Sequence, residues 1–378
     1  MLSKSLRFLL LLSVLVYLAI PAIDFIFIPH HGPTTQGSYT VYEKPSLSIK
    51  NWFSGDFQSQ FDRYFNQQFQ YRTFFIELNN QFYLSCFKEA RANGTVIGEN
   101  NYMYESKYIS SYLGKDFLGK EKLNEKINKL IRIQNYLKEQ HTDMILILAP
   151  NKARFYPEYF PSSYRSDTKR QSNFDYMRSQ LKKTHLNYID FDSWLIALKG
   201  DTSMQPHEKL FTKYGTHWSE YSGLMAADSL LRYITSLKKI PRFSIIIDSV
   251  QHTHEARGTD HDIGDGLNLL FHLPKENYWY PNYHVNVNSS LQQLSILAIG
   301  DSFYWNSFYF LEKEALVKKN TFWYFNKQVY PESFTKQALV DQTMISTHIK
   351  SYDVVIFMIS EPELYKIPFE IDEYIPLP

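Results

Sequence analysis

Residues Leu294–Phe303 read LSILAIGDSF, and the fold class turns on that stretch. Leu294 to Ile299 is an unbroken apolar run of strand length, the pattern of a strand covered on both faces in a parallel sheet. The run passes directly into Gly300, Asp301 and Ser302. Ser302 is therefore expected just beyond the carboxyl end of a strand, where open α/β sheets hold their ligands. Gly300 permits a tight turn, and the amides opening a following helix are candidate oxyanion donors. A helix N-cap is the plainer reading of Asp301 and Ser302.

Working outward, similar apolar runs occur at Met144–Ala149, Tyr188–Phe191, Ile245–Ile247 and Val354–Ile359. Helical periodicity is expected over Lys122–Gln140, Asn173–Lys183, Tyr221–Leu237 and Pro331–Lys350. Strands alternating with helices predict an α/β three-layer α/β/α sandwich with a mostly parallel sheet. Gly94–Tyr104 (GTVIGENNYMY) reads as a short hairpin. Between Trp52 and Phe87, the residues Phe57, Phe61, Tyr64, Phe65 and Phe69 recur at helical spacing, as do Phe74, Phe75 and Leu78. That stripe predicts one or two amphipathic helices whose rings go mostly into a core.

A second chemical cluster lies at Lys213–Gly223, KYGTHWSEYSG. Histidine is the natural general base for a serine hydroxyl near neutral pH, which makes His217 the partner sought by Ser302. A polar histidine near a helix cap is the alternative. The acidic loop Arg257–Gly266 (RGTDHDIGDG) offers Asp260, Asp262 and Asp265. Their oxygens suit a divalent cation, but the spacing matches no known cation loop, and a glycine-bent turn capping a helix over LNLLFHL is the expected structure. No metal or cofactor is expected. Trp218, Tyr304 and Trp305 flank the two candidate residues and are candidates for stacking on a sugar face.

Phe8 to Ile28 is apolar apart from Asp24 and would make roughly 31 Å of helix, enough to cross a bilayer. Lys4 and Arg7 precede it and no Lys or Arg follows until Lys44, so the positive-inside bias puts residues 1–7 in the cytoplasm and the body outside it. A cleaved signal peptide is the competing reading, but Ile20 fits poorly at its −3 position. The expected order is a cytoplasmic tail (1–7), a signal anchor (8–28), a stem with amphipathic helices (29–93) and the α/β domain (94–378). The 378 residues carry 40 Lys+Arg against 39 Asp+Glu, a balance that argues against nucleic-acid binding and suits a neutral or mildly charged ligand. One cysteine, Cys86, excludes an intramolecular disulfide framework. Aromatic residues make up 17% of the chain, and composition alone does not say whether they serve a sugar surface or a core.

Several stretches together carry a resemblance. FDRYFNQQFQYRTFFIELNN (Phe61–Asn80), GTVIGENNYMY and APNKARFYPEYFP (Ala149–Pro161) come first, then THW (Thr216–Trp218), then a strand ending in GDSF. Over about residues 57–360 the chain resembles the SGNH-hydrolase-like proteins of bacterial exopolysaccharide O-acetylation, including the alginate acetylation and DHHW-type proteins. In these a D-x-H-W motif precedes the serine, reversing the order of ordinary SGNH esterases. The resemblance implies that Ser302 carries an acetyl group, that His217 acts as base, and that Asp301 belongs to the same catalytic block. It also implies a polysaccharide substrate and a multi-span membrane acyltransferase as acetyl donor. Localisation at the inner membrane follows, with the body periplasmic or otherwise extracytoplasmic. Two departures stand out. The family's acid position is Gly215, and ISEPELY (Ile359–Tyr365) lacks the arginine of the family's ending. Three outcomes stay open: a Ser302–His217 dyad, a replacement acid from Asp260, Asp262 or Asp265, or a pseudoenzyme that binds or scaffolds without turnover.

Overall fold

The computed structural model describes residues 4–27, 35–36, 42–69, 71–92, 94–286 and 290–376. Ile28 and, within the predicted stem, residues 29–34, 37–41, 70 and 93 fall outside them. The chain divides into two compact units, one of Met1–Ala92 with Gly264–Leu273, the other of Asn93–Ile263 with Pro274–Pro378.

The first unit holds α1 (Lys4–Phe27), α2 (Ile49–Ser54), α3 (Asp56–Gln68) and α4 (Arg72–Phe87). Ser48 caps α2 by accepting from the Asn51 amide, and Gly55, at φ 82°, turns the chain between α2 and α3. Within α1, Lys4–Pro21 is long and apolar enough to cross a membrane. The Phe25 ring meets Phe61, Tyr64 and Phe65 of α3 at 6.0, 6.1 and 5.0 Å, and Tyr17 meets Phe75 of α4 at 6.5 Å. The expectation that the aromatic stripe is mostly core holds only in part: Phe57, Phe61, Tyr64, Phe65 and Phe69 are half-buried against neighbouring rings, whereas Phe74, Phe75 and Leu78 are exposed. No residue of α2 or α3 is buried, and Asn80 is the one buried residue of α4.

The second unit opens with the hairpin β1 (Thr95–Ile97) and β2 (Met103–Glu105), then α5 (Ser106–Tyr112), α6 (Lys120–Glu139), β3 (Asp143–Leu148) and α7 (Lys152–Phe155). After α8 (Asn173–Leu181) come β4 (Tyr188–Asp190), α9 (Phe191–Lys199) and α10 (Glu220–Leu237). The antiparallel ribbon β5 (Ser244–Thr253) and β6 (Tyr278–Asn286) precedes β7 (Ser295–Gly300), α11 (Trp305–Lys313), β8 (Lys319–Tyr324), β9 (Gln328–Tyr330), α12 (Ile345–Ile349) and β10 (Val354–Ile359).

The central sheet runs β4-β3-β10-β7-β8-β9, parallel except for β9. Successive side chains of a strand point to opposite faces, and both faces here are covered. Ile145, Ile147, Ala298, Ile356 and Met358 pack with residues of α9, α10 and α11. Leu146, Leu148, Leu297, Val355 and Phe357 pack with those of α6, α8 and α12. Burial on both faces is what the unbroken apolar runs required, and the SGNH-like α/β/α architecture results.

Three local expectations need correction. Ile245–Ile247 lies in the β5–β6 ribbon outside the main sheet, with Ile246 exposed, because a short apolar run fixes strand character but not the strand's partner. Pro331–Lys350 is α-helical only over Ile345–Ile349, with single 3-10 turns at Glu332–Phe334 and Gln342–Met344. The Asp341 carboxylate caps the second of these turns by accepting from the Thr343 amide, and upstream Leu339 bridges to Gln328, an extended pairing that keeps the earlier residues out of a helix. LNLLFHL is not helical, and the short helix Asp262–Gly266 precedes it instead.

Candidate functional site

The sheet order puts the carboxyl ends of β3, β10 and β7 side by side, so the segments following them converge. Gly300 is needed less for a turn than for close approach: a Cβ there would lie 2.6 Å from the Met358 carbonyl oxygen of β10. Asp301 follows, buried. Its carboxylate accepts from the amides of Phe303 (3.1 Å) and Ser360 (2.7 Å), stapling the end of β7 to that of β10. Asp301 thus fixes the turn on which Ser302 stands. Burial raises its pKa, against the opposing pull of those bonds. The Phe303 and Tyr304 amides both bond to Asp301, so these two helix-start donors serve the turn.

The loop before α10 brings the imidazole. His217 Nε2 lies 2.8 Å from Ser302 Oγ, and Nδ1 lies 2.6 Å from Asp262 Oδ2. The other Asp262 oxygen accepts from the Thr216 amide at 2.7 Å. Burial works to raise the Asp262 pKa, but His217, the Thr216 amide and the Lys152 charge overcome it and hold the carboxyl below its usual value. An ionised carboxylate only accepts, so Nδ1 carries the hydrogen and Nε2 of the neutral ring is left to accept from the serine hydroxyl. Burial lowers the His217 pKa, yet Asp262, with smaller help from Asp301 and Glu105, brings it above 6.5. Phe303 packs against the ring at 4.8 Å between centroids.

Asp262 therefore occupies the place that Gly215 leaves empty, and the packing at Gly215 explains the exchange. A Cβ on Gly215 would come within 2.6 Å of Thr212 Oγ1, 2.9 Å of the Thr259 carbonyl and 3.0 Å of the Asp260 carbonyl. The loop that delivers Asp262 fills the volume an aspartate at 215 would occupy. Asp260 does different work. It is buried, its Oδ1 accepts from the Glu220 amide at 2.9 Å, and its carbonyl accepts from the Thr212 hydroxyl. Burial, reinforced by the Glu220 charge, pushes its pKa up to about 8. Asp265 is exposed and belongs to the first unit.

Lys152 was not singled out in the sequence. Its buried ammonium donates to the carbonyls of Lys213 and Gly215, both at 2.7 Å, while Glu276 accepts from the Lys213 amide. Burial pulls its pKa down to about 7. The backbone two residues before His217 is thereby pinned from both sides. The available signal was a lysine directly after the β3 apolar run, at the sheet edge where ligands sit. Glu105 was also missed. It accepts from the Thr216 hydroxyl at 2.9 Å and pairs with Lys107, which in turn pairs with Glu363. Glu361 of ISEPELY is buried and pairs with Arg154 of α7.

Two of the three proposed stacking residues are unavailable. Trp218 is fully buried, donating through Nε1 to Asn306 at 2.9 Å and packing on Phe191 and Phe303. Tyr304 is likewise buried, against Phe322. Their rings extend the core beneath the serine turn. Trp305 is half-buried, stacked on Tyr309 at 5.4 Å, with Tyr309 and Phe334 exposed beside it. Among the described residues no cluster of His, Cys, Asp and Glu is placed to hold a metal.

Solved structures similar to this chain include the O-acetyltransferase domain of Pseudomonas putida AlgJ, at 16% identity over 72% of this chain and 92% of that one, TM-score 0.43. Pseudomonas aeruginosa AlgX follows at 12%, 74% and 66%, TM-score 0.44, and Bacillus cereus PatB1 at 13%, 67% and 93%, TM-score 0.39. No curated protein sequence matches. A family model described as an SGNH hydrolase-like domain, acetyltransferase AlgX, matches residues 95–293, a span that contains His217 and Asp262 and stops short of Ser302. That span is more than half of the chain, which therefore belongs to the AlgX family of SGNH hydrolase-like acetyltransferase domains.

Proposed function

We propose that this protein is an extracytoplasmic, membrane-anchored enzyme of polysaccharide O-acetylation that works through an acetyl-Ser302 intermediate. The observation that carries the reading is the continuous path Ser302 Oγ, His217 Nε2, His217 Nδ1, Asp262 Oδ2, with links of 2.8 and 2.6 Å. Family membership and the apolar α1 support it. The acetyl donor is a multi-span membrane acyltransferase and the acceptor a hydroxyl of a cell-surface or secreted polysaccharide.

In the first half-reaction Ser302 Oγ attacks the donor's acetyl carbonyl as its proton passes to Nε2. The tetrahedral adduct collapses when the leaving group takes that proton, and the acetyl group stays on Oγ. In the second, a polysaccharide hydroxyl gives its proton to Nε2 while attacking the acetyl carbonyl. Ser302 leaves and recovers the proton. Asp262 holds the tautomer and faces the positive charge that forms on the ring in each half-reaction. With water as acceptor the same steps give an esterase.

The test uses the full chain in detergent with 4-nitrophenyl acetate and an intact-mass readout. Turnover, with an acetyl adduct on the native chain and neither in Ser302→Ala, is the expected result. A native chain that neither turns over nor acquires the adduct would leave a binding or scaffolding role in its place.

A further inference from the structure

Polarity in the unit formed by α1–α4 runs opposite to that of a helical bundle in water. Between Lys4 and Arg91 the buried described residues are polar, Asp24 and Asn80. Phe25, Phe57, Phe61, Tyr64 and Phe65 pack half-buried on one another, while the large apolar side chains of α2 and one face of α4 point outward. Ile49 and Phe53 of α2 are 82% and 84% exposed, and on α4 the exposed Phe74, Leu78 and Phe82 follow one another at four-residue spacing, a single stripe along one helix face. α3 differs, its exposed positions all being polar: Asp56, Gln58, Ser59, Gln60, Asp62, Arg63 and Asn66. Isolated apolar residues on a surface are ordinary, but a contiguous set marks a contact with something apolar.

The neighbour of that stripe identifies the apolar medium. Tyr17, inside the membrane-length stretch of α1, touches Phe75 of α4, and Phe25 near the end of α1 rests on three rings of α3. The outward face of α4 therefore continues the apolar surface of α1, and hydrocarbon surrounding α1 reaches it. A bilayer tolerates exposed apolar rings on the outside of a helix and favours placing polar side chains such as Asp24 and Asn80 away from lipid, since lipid offers no hydrogen bonds. α4 has 16 residues, about 24 Å of helix against a hydrocarbon core of about 30 Å, and it begins at Arg72, so it is suited to lying within one leaflet.

We propose that α2 and α4 are seated in phospholipid of the extracytoplasmic leaflet, making α1–α4 a membrane-embedded platform in place of one anchor with a free stem. The proposal rests on the reading of α1 as a membrane span. Its occupant is lipid; a second copy of the chain or a membrane protein on the same face is the competing outcome.

The test uses the full chain carrying Cys86→Ser, with one cysteine introduced at a time by Leu11→Cys, Phe53→Cys, Phe82→Cys or Lys336→Cys. Each is spin-labelled in nanodiscs of phosphatidylethanolamine and phosphatidylglycerol. Collision with oxygen, which concentrates in hydrocarbon, is compared with collision with a water-soluble nickel chelate. Labels at 53 and 82 are expected to give an oxygen-to-nickel ratio several-fold above that at Lys336 and close to that at Leu11. If 53 and 82 match Lys336 while Leu11 remains in hydrocarbon, the span survives and this proposal fails. An aqueous Leu11 label overturns both. Labels at 53 and 82 shielded from both reagents put protein on the face, which also overturns lipid as the occupant.

Discussion

Replacing Asp262 with asparagine leaves the shape of the site nearly unchanged and inverts its proton logic. The Thr216 amide donates to Asp262 Oδ1 at 2.7 Å, and the same amide orients the new side chain, keeping its carbonyl oxygen on Thr216 and turning its NH2 toward His217 Nδ1. Nδ1 must then accept, the ring hydrogen moves to Nε2, and Nε2 faces Ser302 Oγ already protonated. Disabling the corresponding aspartate of serine proteases costs on the order of 10⁴ in turnover. With the shielding and 2.6 Å contact seen here, a loss of about 10³–10⁴, or about 4–5 kcal/mol at 1.36 kcal/mol per decade, is expected. Initial rates with 4-nitrophenyl acetate measure it, with a thermal melt to show that the variant is folded. Asp262→Ala frees the ring to take either tautomer and should be no more damaging than Asp262→Asn. A folded Asp262→Asn enzyme within tenfold of the native rate, alongside an inactive Ser302→Ala, would refute the tautomer argument.

The remaining predictions probe the groups around that path. Only the neutral imidazole accepts the serine proton, and Asp262 holds the His217 pKa above 6.5, so kcat/KM should rise with pH to a midpoint above 6.5; a native midpoint at or below it would contradict the assignment. Asp262→Asn removes the main interaction opposing burial, so its residual activity should show a lower midpoint. Asp260, pushed up to about 8, is largely protonated at neutral pH, so Asp260→Asn should keep activity within about threefold, as expected of a near-isosteric change at a neutral group. Its raised pKa stabilises the fold at low pH, and that contribution is lost as pH rises toward 8; the native Tm should therefore fall more from pH 5 to 9 than that of Asp260→Asn. Gly215→Ala should cost about 1–3 kcal/mol in a urea melt, because the new Cβ meets two backbone carbonyls at 3.0 Å or less. For the same reason Gly215→Asp should not restore turnover to Asp262→Ala, and recovery in the double variant would show that the position is still open.

The parallel core was legible because burial on both faces leaves a local mark. Met144–Ala149, Leu294–Ile299 and Val354–Ile359 read as covered strands, and they appear as β3, β7 and β10 within one residue at each end. Ile245–Ile247 carries a weaker form of that mark, and its antiparallel partner β6 is not encoded in the triplet. The missed strands β8 and β9 lie where apolar, aromatic and polar residues mix without a clear period. The aromatic stripe of Phe57–Leu78 was read with the right spacing, but its α4 part, Phe74, Phe75 and Leu78, was assigned the wrong surroundings. Periodicity says that a helix has an apolar face, whereas the number of layers available to cover it is a property of the whole unit.

At the site, Ser302 and His217 could be named in advance because each has a local context, a strand ending in GDS and a histidine–tryptophan pair before a helix. The rest depended on folding. His217 and Asp262 are 45 residues apart, and Asp260, Asp262 and Asp265 are chemically alike in the sequence. The tertiary structure separates them by environment: one buried and pushed toward neutrality, one on the imidazole and held ionised, one exposed. It also turned Trp218 and Tyr304 into the core and recruited Lys152 to hold the loop carrying His217. By itself, then, the sequence determined the buried strands β3, β7 and β10, their exposure to two cores, and the two residues whose local setting announces them, since those depend on near neighbours in the chain. Which carboxylate completes the path to Ser302 was decided only in three dimensions, because the crowding at Gly215 and the reach of the 257–262 loop are facts about distant backbone brought together.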